Sequence, residues 1–253
     1  MTYRPHEDAA GRPPSAAATL AVVLTGATLV SLAALHVLSP EFDPSWRMVS
    51  EYALGRNGLL LSVMFACWGI STWALVVALW PELTTRRGRI GLAFLVLAGI
   101  GEAMASIFDI TQDVPHGIAG LLGIGCFPIA ALLISAALPR DTHWGPARRP
   151  LIALAGLSWL GLASLVATLV VMTAQVAQAY GGHLPSAAPA SLPPGVLRLD
   201  GWADRLIVVA NCLWVAAAAW RARVSRTRVV EPSRVLRRDE GRTGISPVEQ
   251  PQS

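Results

Sequence analysis

Six long apolar segments constrain this 253-residue sequence more than any other feature. A helix that crosses a bilayer needs roughly 20 predominantly apolar residues, and lipid leaves the backbone of an open sheet without hydrogen-bond partners. The sequence therefore predicts an all-α, polytopic membrane bundle of six transmembrane helices. The predicted spans cover residues 16–38, 58–79, 90–108, 114–138, 151–174 and 203–220.

Composition excludes the main soluble classes. Hydrophobic residues make up 53% of the chain and charged residues only 14%, which is too apolar for a soluble domain to enclose in one core. A soluble enzyme, a fibrous protein and a disulfide-stapled secreted domain are therefore excluded. The three cysteines lie inside predicted spans, where a thiol packs as a small hydrophobe.

The basic residues are distributed unevenly along the chain. All 20 are arginine, and 16 of them lie in segments 1–15, 80–89, 139–150 and 221–253. Six spans put these four segments on one side of the membrane, and arginine accumulates on the cytoplasmic side. We therefore expect a cytoplasmic segment at residues 1–15, a transmembrane domain at residues 16–220 and both termini in the cytoplasm.

The segment 221–253 carries eight arginines among Pro, Gly, Ser and Gln residues. Its low hydrophobicity predicts disorder, and arginines that directly follow a span can contact anionic lipid headgroups at about 1 kcal/mol each. The pI near 9.5 would also suit a nucleic-acid-binding protein. Because the arginines concentrate beside the membrane, we expect the partners to be the bilayer and its anionic lipids, and no nucleic acid.

The connection between the first two spans contains the first group of candidate site residues. Asp43 followed by Pro44 is typical of a helix start, and Gly55 of a helix end, so a short helix is predicted at 44–54. Its apolar side is formed by Trp46, Val49 and Tyr52. A helix with this pattern lies on the outer membrane surface. The ligand-binding candidates on or beside its polar side are Ser50, Glu51 and Tyr52.

A second polar group follows the third span. Glu102, Ser106 and Asp109 are spaced i, i+4 and i+7, which predicts one shared helix face. An ionised carboxylate at mid-bilayer costs roughly 2.5 to 3.5 kcal/mol on insertion scales, so Glu102 is expected to face other helices or a wet cavity, or to be protonated. The catalytic candidates are Glu102, Ser106 and Asp113, and Glu102 is also a ligand-binding candidate.

Two histidines are expected at the same outer level as Asp109. His36 lies near the end of the first span, and His116 lies in the first turn of the fourth. Two histidines with a carboxylate suit zinc or another divalent cation, so His36, Asp109 and His116 are metal candidates. Two alternatives stay open: a polar ligand site without metal, or solvated and capping carboxylates with histidines that hydrogen-bond to nearby carbonyls.

Two further features are interpreted as structural. Asp204 and Arg205 open the last span, where an exposed interfacial ion pair would contribute little to stability. Gly117, Gly120 and Gly123 predict a close helix crossing on the fourth span.

Several of these motifs resemble one known family. His36-Val-Leu-Ser-Pro40, Val49-Ser-Glu-Tyr-Ala-Leu-Gly55, Phe108-Asp109 and His116-Gly117 resemble the integral membrane family called domain of unknown function 998. The resemblance implies a bacterial inner-membrane protein of about six helices with no established activity. It also implies importance for His36, Ser50, Glu51, Tyr52, Asp109 and His116.

Three functions remain possible from the sequence. The first is a non-enzymatic membrane protein that binds a lipid, small ligand or partner at a small outward-facing acidic site. The second is a metal-dependent, membrane-embedded hydrolase or lipid-modifying enzyme. The third is a proton-coupled carrier that uses Glu102, although the sequence shows no broken-helix pair or inverted repeat.

Overall fold

Six helices long and apolar enough to span a membrane form the molecule. The computed structural model describes residues 16–140, 143–185 and 191–240, with side chains described as far as Val224. No strand occurs within these ranges, so the all-helical prediction is confirmed. The helices are α1 (Ala16–Leu38), α2 (Gly58–Leu79), α3 (Arg86–Ala105), α4 (Asp113–Ala137), α5 (Gly145–Ala179) and α6 (Asp200–Glu240).

Helix bounds agree best with the sequence where turn residues flank the apolar segment. α1 and α2 have the predicted bounds, whereas α3 ends at Ala105, three residues before the predicted end. α6 continues to Glu240, into the segment 221–253 for which the sequence predicts disorder. Arginine is a good helix former and residues 221–231 contain neither glycine nor proline, so the helix meets no stop signal directly after the apolar span. Residues 1–15 and 241–253 lie outside the described chain.

The helices pack as a ring. α1 contacts α2 and α6, α3 contacts α2 and α4, and α5 contacts α6 and the second half of α4. α6 is the most buried helix and α5 the most exposed. We call the end formed by the α1–α2, α3–α4 and α5–α6 connections the site end, and the opposite end the terminal end.

The terminal end is closed by hydrogen bonds between connections. The indole Nε1 of Trp144 donates to Glu82 over 3.3 Å, and Nε of Arg221 donates to the carbonyl of His143 over 2.8 Å. These bonds join the α2–α3 connection, the α4–α5 connection and α6. They hold the arginine-rich end of the bundle together independently of the site end.

α3 and α4 cross at two glycines. A methyl group on Gly101 would overlap the backbone nitrogen of Gly123 and lie 2.5 Å from the carbonyl oxygen of Ala119. At this crossing α4 widens into a π-helical turn, Leu121–Gly125. The predicted small-residue crossing therefore involves Gly123, whereas Gly117 and Gly120 face open space.

Candidate functional site

A buried arginine organises the site end. The side chain of Arg205, in the second turn of α6, is only 5% exposed. Its guanidinium donates from Nε to His36 Nε2 (2.7 Å), from Nη1 to the carbonyls of Arg47 (2.7 Å) and Gly201 (2.9 Å), and from Nη2 to the hydroxyl of Tyr52 (2.9 Å). Three of these bonds tie α6 to α1 and to the α1–α2 connection, and the bond to Gly201 lies within α6.

His36 is fixed in one neutral tautomer by this network. Its Nδ1 lies 2.7 Å from the carbonyl oxygen of Leu32, which can only accept, so Nδ1 carries the proton. Nε2 then accepts from Arg205. Both ring nitrogens are engaged, and His36 has no lone pair left for a metal ion.

Asp109 and His116 interact electrostatically, and neither side chain hydrogen-bonds to Arg205. Asp109 accepts from the backbone nitrogen and hydroxyl of Thr111, and these bonds lower the pKa of its carboxyl. His116 Nδ1 hydrogen-bonds to the carbonyl of Phe108 over 2.9 Å. Across the described ranges, no group of three or more His, Cys, Asp and Glu side chains is arranged to share a metal ion. The fold thus brings the second histidine to Asp109 but keeps His36 with Arg205.

Asp204 binds the first residue of a short helix, Val49–Leu54, in the α1–α2 connection. Its carboxylate is 6% exposed and accepts from the backbone nitrogen of Val49 over 2.6 Å. Nearby, the backbone nitrogen of Gly201 donates to the carbonyl of Ser45, and a methyl group on Gly201 would overlap the carbonyl of Pro44. The first turns of α6 therefore press directly on the backbone of the connection.

The connection itself differs from the predicted surface helix. It contains a 3₁₀ helix only at Val49–Leu54, because Asp43 accepts from the backbone and hydroxyl of Ser45 in a tight turn, which also lowers the pKa of the Asp43 carboxyl. Trp46, Val49 and Tyr52 are buried in the protein. An apolar side spaced i, i+3 fits a membrane surface and a protein interior equally well, and here Asp204 and Arg205 supply the partners that draw it inward.

Glu51 forms an ion pair at the edge of this buried framework. Its carboxylate accepts from Nη1 of Arg47 over 2.5 Å and from the backbone nitrogen of Met48 over 3.0 Å, and both side chains are mostly shielded from solvent. The guanidinium of Arg47 also stacks 4.0 Å from the ring of Trp46. Ser50 lies half-buried beside them.

The ion pair borders a pocket of about 470 Å³ at the site end. Its walls come from the α1–α2 connection, the α3–α4 connection, the last turns of α5 and the loop after α5. The lining residues are Trp46, Arg47, Met48, Glu51, Leu54, Ile110, Thr111, Met172, Thr173, Val176, Leu184, Pro185 and Leu192. Apart from the ion pair and two threonines, these walls are apolar.

The three catalytic candidates occupy different environments. Glu102 is 2% exposed inside the bundle and accepts from the hydroxyl of Thr72 over 2.7 Å. Ser106 follows the last residue of α3 and donates to the carbonyl of Ala103, whereas Asp113 is exposed at the start of α4. Because α3 ends at Ala105, the predicted shared helix face of Glu102, Ser106 and Asp109 does not form.

Sequence reasoning missed the role of Asp204 and Arg205. The sequence suggests an interfacial ion pair that would contribute little if it were exposed. In the structure both side chains are buried, and each hydrogen-bonds to the α1–α2 connection. The available signal was their position: two charged residues that begin a span must either reach water or find partners inside the protein. Only the fold shows that the partners come from residues more than 150 positions earlier.

Comparison with known proteins gives one match. A family model described as "Protein of unknown function (DUF998)" matches residues 19–221. No curated protein and no solved structure matches the chain.

Removal of the guanidinium should destabilise the whole site end. We expect Arg205→Gln to lower the free energy of unfolding by about 3 to 5 kcal/mol, because Asp204, His36 and Tyr52 lose a buried partner. Tyr52→Phe, which removes one of the four bonds, should cost about 1 kcal/mol. Equilibrium unfolding in detergent measures both changes.

Arg198→Gln is the matched control, because Arg198 is an exposed arginine near the same helix. Its free energy of unfolding should stay within about 0.5 kcal/mol of the parent. Equal stability of the Arg205 and Arg198 variants would contradict the structural role of Arg205.

Proposed function

Because the chain belongs to the DUF998 family, whose function is unknown, we propose a function from its site: the protein binds an amphipathic small molecule of the lipid class. The pocket at the site end carries this proposal. It combines apolar walls with one shielded ion pair, Arg47–Glu51. Ligand sites of this kind are mostly apolar, with a few polar groups that fix the orientation of the ligand.

The position of the pocket favours a membrane lipid. The pocket lies where the helices end and the connections begin, which is the level at which lipid headgroups meet hydrocarbon. The guanidinium of Arg47 can donate hydrogen bonds to a headgroup and the carboxylate of Glu51 can accept them, while Met172, Val176 and Leu192 offer apolar contacts to the adjoining acyl chain.

A groove along α5 supports lateral entry from the bilayer. α5 packs on α6 and the second half of α4, with no comparable contact to residues 113–120. Its open face carries a groove of about 600 Å³ that runs from Trp159 to Val171. Val166 in the groove and Thr173 in the pocket are seven residues apart and share one helix face. From Leu162 to Thr173 the helix rises about 16 Å, close to half of the roughly 30 Å hydrocarbon core.

The buried network explains how the polar end of the pocket is held. Arg205 binds the backbone carbonyl of Arg47, not its side chain, so the guanidinium of Arg47 extends to Glu51 and the pocket wall. The metal-dependent enzyme has no comparable support, because His36 uses both ring nitrogens within the protein.

We also propose an orientation and a location for the protein. The arginine distribution favours a terminal end in the cytoplasm and a site end outside, and the family resemblance implies a bacterial inner membrane. The arginines that follow the α6 span would then meet the anionic lipids of the cytoplasmic leaflet. The pocket would accordingly take a lipid of the outer leaflet.

Cysteine labelling tests the orientation. Thr84 and Gln112 are exposed in connections at opposite ends of the bundle. A membrane-impermeant maleimide added to intact cells should label Gln112→Cys, and should label Thr84→Cys only after permeabilisation. The parent chain, whose three cysteines lie within the helices, gives the background. Labelling of Thr84→Cys alone in intact cells would reverse the proposed orientation.

Photocrosslinking tests lipid binding. The protein is reconstituted in phosphatidylethanolamine–phosphatidylglycerol vesicles that contain a phospholipid with a diazirine on one acyl chain, and cross-linked peptides are mapped by mass spectrometry. We expect the peptides of residues 162–176 to carry more label than peptides from other lipid-exposed helix faces. Thr173→Trp, which fills the pocket, should reduce that label severalfold.

Ala174→Trp is the matched control. Ala174 is exposed on the neighbouring position of α5 and does not line the pocket, so the added indole has the same size but leaves the pocket open. Equal labelling of the parent, Thr173→Trp and Ala174→Trp, or labelling spread evenly over all exposed helices, would refute the proposed lipid site.

A further inference from the structure

Glu102 is a carboxylic acid inside the bundle, and only one of its two side-chain oxygens has a hydrogen-bond partner among the described residues. Its side chain is 2% exposed, and Oε2 accepts from the hydroxyl of Thr72 on α2 over 2.7 Å. The second oxygen, Oε1, is also buried and has no hydrogen-bond partner among the described residues. Buried polar atoms nearly always have a hydrogen-bond partner. A buried polar atom without one often has a functional role.

The surroundings of Glu102 provide no compensating positive charge. Within the part of the chain that the structure describes, no arginine or histidine forms an ion pair with it. On α6 the fully buried thiol of Cys212 is a titratable group close to Glu102. From α2 the facing group is the neutral Thr72. A carboxylate here would be both desolvated and unpaired, which disfavours the ionised form.

The partner helix is irregular at this point. A methyl group on Gly123, in the π-helical turn of α4, would lie 3.6 Å from Cγ of Glu102. π-Helical turns inside α-helices recur at functional sites, and they are places where a helix bends. The acid thus lies against the one described segment of the spans whose hydrogen-bond register departs from α-helical geometry.

We propose that Glu102, held by Thr72, is an intramembrane proton-binding site that is coupled to the π-helical turn of α4. One proton converts the carboxylate to the neutral acid at the buried oxygen, and no other bond forms or breaks. In the neutral form the acid fits the apolar crossing of α3 and α4. Loss of the proton leaves a desolvated charge beside Gly123, and the π-helical turn is the element that can rearrange to solvate it. This site is separate from the lipid pocket.

Infrared spectroscopy of the protein in lipid vesicles tests proton binding directly. The parent should show the C=O stretch of a protonated carboxyl that disappears reversibly as the pH is raised. The band should be absent in Glu102→Gln and shifted in Thr72→Val, which removes the hydrogen-bond donor. Asp113→Asn, at an exposed carboxyl, is the control and should leave the band unchanged.

Two results would overturn the proton site. The first is a spectrum with no band that depends on Glu102 or Thr72 at any pH, which would mean that the residue stays ionised. The second is a Glu102 band that never changes with pH, which would make the acid a permanent structural group. If Glu102→Gln does not fold, the pH titration of the parent and the shift in Thr72→Val still decide between these outcomes.

Amide hydrogen exchange tests the coupling to α4. Relative to Glu102→Gln at each pH, the parent should exchange the amides of residues 121–126 faster once the carboxyl band has disappeared. Amides of the terminal end, measured in the same samples, serve as the internal reference. Identical exchange of residues 121–126 in the two proteins across the titration would remove the coupling from the proposal.

Discussion

A guanidinium buried inside an apolar bundle must have its donors satisfied by the protein. In this molecule Arg205 meets that requirement with acceptors from α1, from the α1–α2 connection and from its own helix. The acceptors lie far apart in sequence, so satisfying the charge fixes the relative positions of three parts of the chain. The buried position of the connection, the tautomer of His36 and the shape of the site end all depend on this one group.

Two buried polar side chains in the same bundle, Arg205 and Glu102, differ in how fully the protein satisfies their hydrogen-bonding groups. Arg205 makes four hydrogen bonds and has Asp204 beside it, which is typical of a group with a structural role. Glu102 makes one hydrogen bond, lacks a positive partner among the described residues and lies against an irregular turn. The Arg47–Glu51 ion pair is an intermediate case, because it is mostly shielded from solvent but borders a pocket. The polar groups thus divide into a framework around Arg205, a shielded pair beside a pocket for which we propose lipid binding, and an unpaired acid for which we propose proton binding.

The sequence predicts the features that depend on local patterns. Hydropathy identifies six spans and gives the bounds of α1 and α2. It does not reveal the direction in which the connection packs, because the i, i+3 pattern of Trp46, Val49 and Tyr52 fits lipid and protein alike. The partners that decide this direction, Asp204 and Arg205, lie more than 150 residues later.

Arg205 holds the α1–α2 connection inside the bundle through its bonds to Arg47 and Tyr52. Amide hydrogen exchange of residues 47–54, compared between the parent and Arg205→Gln in the same lipid nanodiscs, measures that restraint most directly. A hydrogen bond to a charged group is worth about 1.5 to 3 kcal/mol, and 1.4 kcal/mol is a factor of ten. We expect exchange of these amides to rise by about tenfold or more, while residues 121–126 keep their protection. Unchanged protection of residues 47–54 would show that Arg205 does not restrain the connection.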